Sequence, residues 1–169
     1  MTRSVNEVEM QIQKACRGAG LCVGQAQVIA DALVRDIAGL PTLLATLAQG
    51  RRVSQLAGTA RCIIENADIL LDGPAACDAL NAGVAQVTLM GLGDDALARA
   101  LFAGAGAGVE ATGTGLVITG PPNRAARPRR VTVAGDLWDQ LDQYAHKVYV
   151  PETEASRLAG AGAGLTDND

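Results

Sequence analysis

Residues 84–91 read Val-Ala-Gln-Val-Thr-Leu-Met-Gly. Apolar and polar side chains alternate in part along the run, and a glycine closes it, which predicts a β-strand. Its neighbours decide the fold class. Just upstream, RCIIENADILLDG (61–73) carries β-branched and apolar clusters broken by Asn66 and Asp68, consistent with one or two further strands. Downstream, Asp94 and Asp95 sit where carboxylates favour a helix N-terminus, and ALARALFAG (96–104) consists of strong helix formers. EATGTGLVITG (110–120) returns to strand character and stops at Gly120 and a Pro-Pro-Asn turn. RRVTVAG (129–135) reads as another short strand. Asp136 is placed to cap a last helix with Leu137, Leu141, Tyr144 and Val148 on one face. Pro151 opens a final short segment, with Glu152 and Glu154 in its first turn.

The first fifty residues follow a different period. Ser4 and Glu7 have the spacing of a capping box, in which the Ser4 hydroxyl accepts from the Glu7 amide and the Glu7 carboxylate reaches back to the Ser4 amide. Val5, Val8, Ile12 and Cys16 then recur at helical spacing, and Gly18 or Gly20 supplies the stop. A second helix is predicted over Val23 to Ile37, with Ala26, Ile29, Ala30, Leu33 and Ile37 on one face and Gly39 at its end. Pro41 suits the first turn of a short third helix that stops at Gly50. Helices come first, then mixed strands and helices. The expected fold is therefore α+β, with room for βαβ units, in a single compact domain over residues 1–169. GPPNRAARPRR (120–130) is the most linker-like stretch, and a hairpin loop with a basic tip explains it as well as a domain boundary does.

Composition narrows the class. The chain has 169 residues, enough for one real core, and 49% are hydrophobic. Many of these are alanine, and the aromatic residues are Phe102, Trp138, Tyr144 and Tyr149 alone. The core must be built from Leu, Val, Ile and Ala, so the elements must approach closely. The formal charge of −4 argues against nucleic-acid binding, which calls for a basic surface. The one basic run is Arg124, Arg127, Arg129 and Arg130. There is no long apolar run to cross a membrane and no signal-peptide pattern in MTRSVNEVEM. Cys16, Cys22, Cys62 and Cys77 lack the spacing of a metal or redox motif, which fits free, mostly buried thiols in a reducing cytoplasm.

Two Gly-Ala alternations stand out: Gly104 to Gly108 and Gly160 to Gly164. Glycines at alternate positions let successive amides converge on an anion. The first run follows a helix instead of opening one, so it does not match a dinucleotide fingerprint and reads as a helix terminus at a close packing point. The second has Ser156 and Arg157 before it, and Asp167, Asn168 and Asp169 after it. Arginine is a bidentate partner for carboxylate or phosphate, and the serine hydroxyl and the amides of Gly160, Gly162 and Gly164 complete a candidate pocket. A frayed polar terminus is the alternative.

The SVNEVE…KACRGAG opening and the YVPETEASRLAGAGAGLTDND ending resemble the DUF3726 family of bacterial proteins of unknown function. The resemblance implies that the C-terminal stretch is a defined element and, being concentrated at both ends, that Arg17 in the RGAG stretch lies beside the C-terminal site. Family members carry an aromatic-glycine pair after RGAG, where this chain has Cys22 and Val23, so a pocket lined by that aromatic is altered here. A second likeness joins ADALVRDIAGLPTLLATLAQG to the N-terminal helices of the malate/lactate dehydrogenase-like oxidoreductases. Those chains are about twice as long and carry Ser-His where this one has Leu40 and Pro41, so that likeness is set aside.

The functional expectation is a cytoplasmic small-anion-binding or accessory protein. Its ligand residues would be Arg157, Ser156, Gly160, Gly162, Gly164 and Arg17, with no cofactor and no metal. One alternative is an enzyme on a small carboxylated metabolite, using His146 beside Asp142, or Glu154 or Asp167, as the acid-base group. Another is a structural homodimer that buries the N-terminal helices.

Overall fold

The computed structural model describes residues 1–49, 54–58, 62–93, 96–120 and 126–149, with backbone alone at 56–58. The described elements are β1 (Thr2–Ser4), α1 (Val5–Gly18), α2 (Val23–Leu33), α3 (Leu40–Leu47), β2 (Gln55–Gly58), β3 (Ile63–Glu65), α4 (Ile69–Asn81), β4 (Gln86–Met90), α5 (Ala96–Ala105), β5 (Gly108–Thr112), β6 (Gly115–Thr119), β7 (Arg130–Thr132) and α6 (Gly135–Ala145). Single 3₁₀ turns at Ile37–Gly39 and His146–Val148 precede α3 and follow α6. The fold is α+β. Strands β2-β3-β4-β6-β5 form one sheet, and β1 pairs antiparallel with β7 in a separate ribbon.

The strand over 84–91 is central. β4 pairs parallel with β3 (Ile63↔Thr88) and antiparallel with β6 (Thr88↔Val117). Its Val87 and Leu89 are fully buried, as are Leu116 and Ile118 across from them on β6. The other face of the sheet, with Thr88 and Val117, is only half buried. α4 and α5 pack on the covered face, α2 packs on both of them, α1 packs on α2, and α6 lies against α1. Buried side chains from all these layers form one cluster, and Phe102 is the largest of them.

Two readings of the sequence are corrected and one is refined. ILLDG, expected to continue a strand, opens α4, which makes β3-α4-β4 a parallel βαβ unit. Gly73 and Pro74 are signals of a turn, and Pro74 removes the amide that would bond the Leu70 carbonyl. The helix begins regardless because two buried carboxylates organise its first turn. Asp68 caps it by accepting from the Leu70 amide at 2.9 Å. Asp72 accepts from the Asp68 amide at 2.7 Å and from the Ser54 hydroxyl at 3.0 Å. Second, EATGTGLVITG has the strand character expected of it and divides into two strands. Gly113 and Thr114 turn it into the β5–β6 hairpin, with the Gly115 amide donating to the Thr112 hydroxyl oxygen. Third, the second helix stops at Leu33, and Asp36 starts the 3₁₀ turn by accepting from the Ala38 amide at 3.2 Å. The start of α6 differs in detail: Ala134 is its N-cap, and Asp136 lies in the first turn.

Asp72→Ala leaves the buried Asp68 amide and the Ser54 hydroxyl without their acceptor. It is expected to cost about 2–3 kcal/mol, whereas Asp72→Asn, which keeps one carbonyl oxygen, costs less. Urea denaturation of the two variants checks the order.

Candidate functional site

The RGAG stretch is the helix terminus of α1. The Leu21 amide donates to the Cys16 carbonyl at 3.1 Å and the Gly20 amide to the Arg17 carbonyl at 2.9 Å, which is the bonding of a Schellman motif. Gly20 takes the left-handed conformation this requires, with φ of +94°. Leu21 is buried and packs in the core cluster with Cys16. Gly18 serves a different purpose. A β-carbon there would lie 1.9 Å from the Tyr144 carbonyl oxygen, so α1 and α6 cross with their backbones in contact. Both glycines are therefore explained by the fold. The amides of Ala19, Gly20 and Leu21 are all engaged with carbonyls of α1. What this corner offers a ligand is side chains.

Those side chains are cationic. Arg17 is exposed in the last turn of α1, and it makes no ion pair among the described residues. One turn earlier, Lys14 donates to the Tyr149 hydroxyl at 3.0 Å, and its ammonium sits 5.6 Å from the Tyr149 ring centre. Lys147 is exposed and lies over the Tyr144 ring, 4.5 Å from its centre. By contrast Arg3, Arg35 and Arg127 are each held by a carboxylate: Glu7, Asp31 and Glu9, respectively. Positive charge without a carboxylate partner thus gathers where the C-terminal ends of α1 and α6 meet. Sequence reasoning named Arg17 here and missed Lys14, Lys147 and Tyr149. The three-residue spacing of Lys14 and Arg17, which places them on one helix face, was the available signal.

Ser156, Arg157, Gly160, Gly162 and Gly164 lie outside the described residues, as do Glu154, Asp167, Asp94, Asp95 and Arg124. The described chain reaches Tyr149, on Lys14. His146 Nε2 stands 3.0 Å from Asp142 Oδ2, but the two side chains are 70% and 51% exposed. Asp142 also accepts from Gln11 Nε2 at 2.9 Å. This is an i, i+4 surface pair near a helix end. No group of three or more metal-ligating side chains occurs among the described residues.

The basic run is more than a solvated tip. Arg127 ties to Asn6 and Glu9 of α1 and lies 3.9 Å from Asp31 of α2, and Arg130 donates to the Thr2 carbonyl. Arg129 is exposed. Gly104 of the first glycine run has Ala32 backbone atoms within 2.8 Å of where its β-carbon would be, so that run marks close helix packing, as its position after a helix implied. Cys16 and Cys77 are buried, Cys62 is half buried and Cys22 is exposed, and none of the four is in a disulfide, so the expectation of mostly buried thiols holds for two of them. No helix among the described residues is long and apolar enough to cross a membrane. No family model matches the chain, and no curated protein or solved structure matches it.

Gly18→Ala forces α1 and α6 apart and is expected to cost about 2–3 kcal/mol, as overpacking against backbone does. Gly24→Ala, in open space within the first turn of α2, is expected to be neutral or to stabilise by up to about 1 kcal/mol. Chemical denaturation of both variants provides the comparison.

Proposed function

We propose that this chain is a cytoplasmic small-anion-binding or accessory protein of the DUF3726 type, whose site forms where the end of α1 meets the C-terminal stretch. The observation that carries the reading is Arg17: an exposed guanidinium with no carboxylate partner among the described residues, one turn from the Lys14–Tyr149 contact. From Tyr149 the chain continues toward Ser156 and Arg157. Eight residues span at most about 28 Å, ample to bring Arg157 to Arg17. Two guanidiniums and a serine hydroxyl would then hold a carboxylate or phosphate by charge-assisted hydrogen bonds. The Gly160, Gly162 and Gly164 amides would supply the neutral donors that the engaged amides of the RGAG turn cannot.

A small carboxylate or phosphate is expected to raise the melting temperature, since a guest that binds only the native state stabilises it by about 2.7 kcal/mol at a hundredfold excess over Kd. Arg17→Ala and Arg157→Ala are each expected to weaken binding roughly tenfold, or about 1.4 kcal/mol. A screen of phosphate, small mono- and dicarboxylates and nucleotides that leaves the melting temperature unmoved would overturn the reading, as would affinities indifferent to both variants.

A further inference from the structure

The two edge strands of the five-stranded sheet differ. β2 is interrupted by a register shift between Leu56 and Gly58, a device that blunts an edge. β5 has no such break: each residue from Gly108 to Thr112 faces its partner on β6 in unbroken register. The direction of its main chain follows from the other side of β6. The Gly91 amide donates to the Thr114 carbonyl at 2.9 Å and the Gly120 amide to the Ala85 carbonyl at 3.5 Å, so Thr114, Leu116, Ile118 and Gly120 turn their main chain toward β4. Gly115, Val117 and Thr119 then turn theirs toward β5, where they meet Thr112, Glu110 and Gly108. Val109 and Ala111 are left with N–H and C=O pointing away from the sheet, and no described group bonds them.

The side chains give this edge a pattern. Glu110, between the two outward-turned residues, is exposed on the open face of the sheet beside Val117, and it makes no ion pair among the described residues. Val109 and Ala111 lie on the covered face, in line with Ile118 and Leu116, and Val109 packs against the core. We propose that β5 is a docking edge for an extended segment of a partner protein that carries a lysine or arginine between two small apolar residues. Added antiparallel, the segment exchanges both main-chain bonds with Val109 and both with Ala111 through its apolar residues, whose side chains continue the covered face. Its cation then stands directly across from Glu110, in the close position where Cα atoms are about 4.5 Å apart. The same carboxylate selects against a second copy of this chain. The register of β5 against β5 that satisfies Val109 and Ala111 together sets Glu110 opposite Glu110, and like charges directly opposite destabilise a pair. The inference goes beyond the anion-binding reading and uses none of its residues.

The test uses the full chain, labelled with ¹⁵N, and two end-blocked probe peptides, Thr-Val-Lys-Val-Thr and Thr-Val-Glu-Val-Thr. Titration with the lysine peptide is expected to move the amide signals of Val109 and Ala111 most and to slow their hydrogen exchange, whereas the Glu110 amide, already turned toward β6, keeps its rate. The lysine peptide is expected to bind about tenfold more tightly than the glutamate peptide, because the one pairs and the other repels across the same position. Glu110→Gln is expected to remove that preference and Glu110→Lys to invert it, each with the remaining amide spectrum unchanged, and added salt is expected to shrink it in the wild type. Signals that stay unmoved at millimolar peptide, shifts centred elsewhere on the surface, or equal affinities for the two peptides overturn the proposal. So do shifts at Val109 and Ala111 that follow the concentration of the protein alone, which would make a second copy the occupant.

Discussion

Among the described residues, helices touch backbone to backbone at Gly104 and Gly18, and much of the packing is arranged around those contacts. Gly104 of α5 lies against the Ala32 backbone of α2, and Gly18 of α1 lies against the Tyr144 carbonyl of α6. The composition makes such contacts necessary. With one phenylalanine and a core rich in alanine, side chains cannot fill the space between helices at ordinary separations. Close-packed density is recovered only by moving the axes together. Ala15, Ala26, Ala30, Ala32, Ala98 and Ala100 are all buried, and each shortens the distance between layers that a leucine would hold apart. Adding one carbon at Gly104 or Gly18 would push against main chain, which cannot rotate out of the way as a side chain can.

How much of this was legible in the sequence depended on whether the deciding signal was local. The start of α1 was readable because a cap is local. Ser4 does accept from the Glu7 amide at 3.2 Å. The reciprocal half of the box is absent, since the Glu7 carboxylate turns instead to the Arg3 guanidinium, whose Cζ lies 3.8 Å from the centre of the Trp138 ring. That preference is set by α6, far along the chain. α4 was hidden for the same reason. Gly73-Pro74 is a strong local signal for a turn; against it stand the Asp68 cap on the Leu70 amide and Asp72 beneath the Asp68 amide, with the Ser54 hydroxyl, eighteen residues earlier, bonding the same Asp72 carboxylate. β7 was legible in RRVTVAG, but β1, three residues long, is too short to show a period and exists because it pairs with β7, Thr2 against Thr132.

The glycine-rich motifs show the same division at the level of function. RGAG was expected to stop a helix and to lie beside an anion site; Gly20 does end α1, and Gly18 lets α6 approach. Of its residues Arg17 stays the candidate for a ligand, since its exposed side chain makes no ion pair among the described residues. Lys14 and Tyr149 could not be paired from sequence because 135 positions separate them. The basic run had the opposite fate. Arg127 looked like part of a solvated tip and is a staple across α1 and α2, which removes it from the charge available to a ligand.

On the proposed anion-binding reading, the electrostatics of the corner explain why a second set of amides would be needed. α1 and α6 present their C-terminal ends there, and helix C-termini carry partial negative charge. Arg17 and Lys147 counter that charge, each by about 0.3–1 kcal/mol when exposed, and so stabilise the helices whether or not a ligand is present. An anion placed against them still feels the carbonyls behind, and the amides that would offset those carbonyls are already bonded within the RGAG turn. Cations alone would hold an anion loosely at the surface, where ordinary salt screens the attraction within about 8–10 Å. Fixed neutral donors, pointing inward from the opposite side, would convert that loose attraction into a site. The Gly-Ala alternation at 160–164 is the stretch of this sequence suited to provide them, because alternate glycines let neighbouring amides turn to the same side.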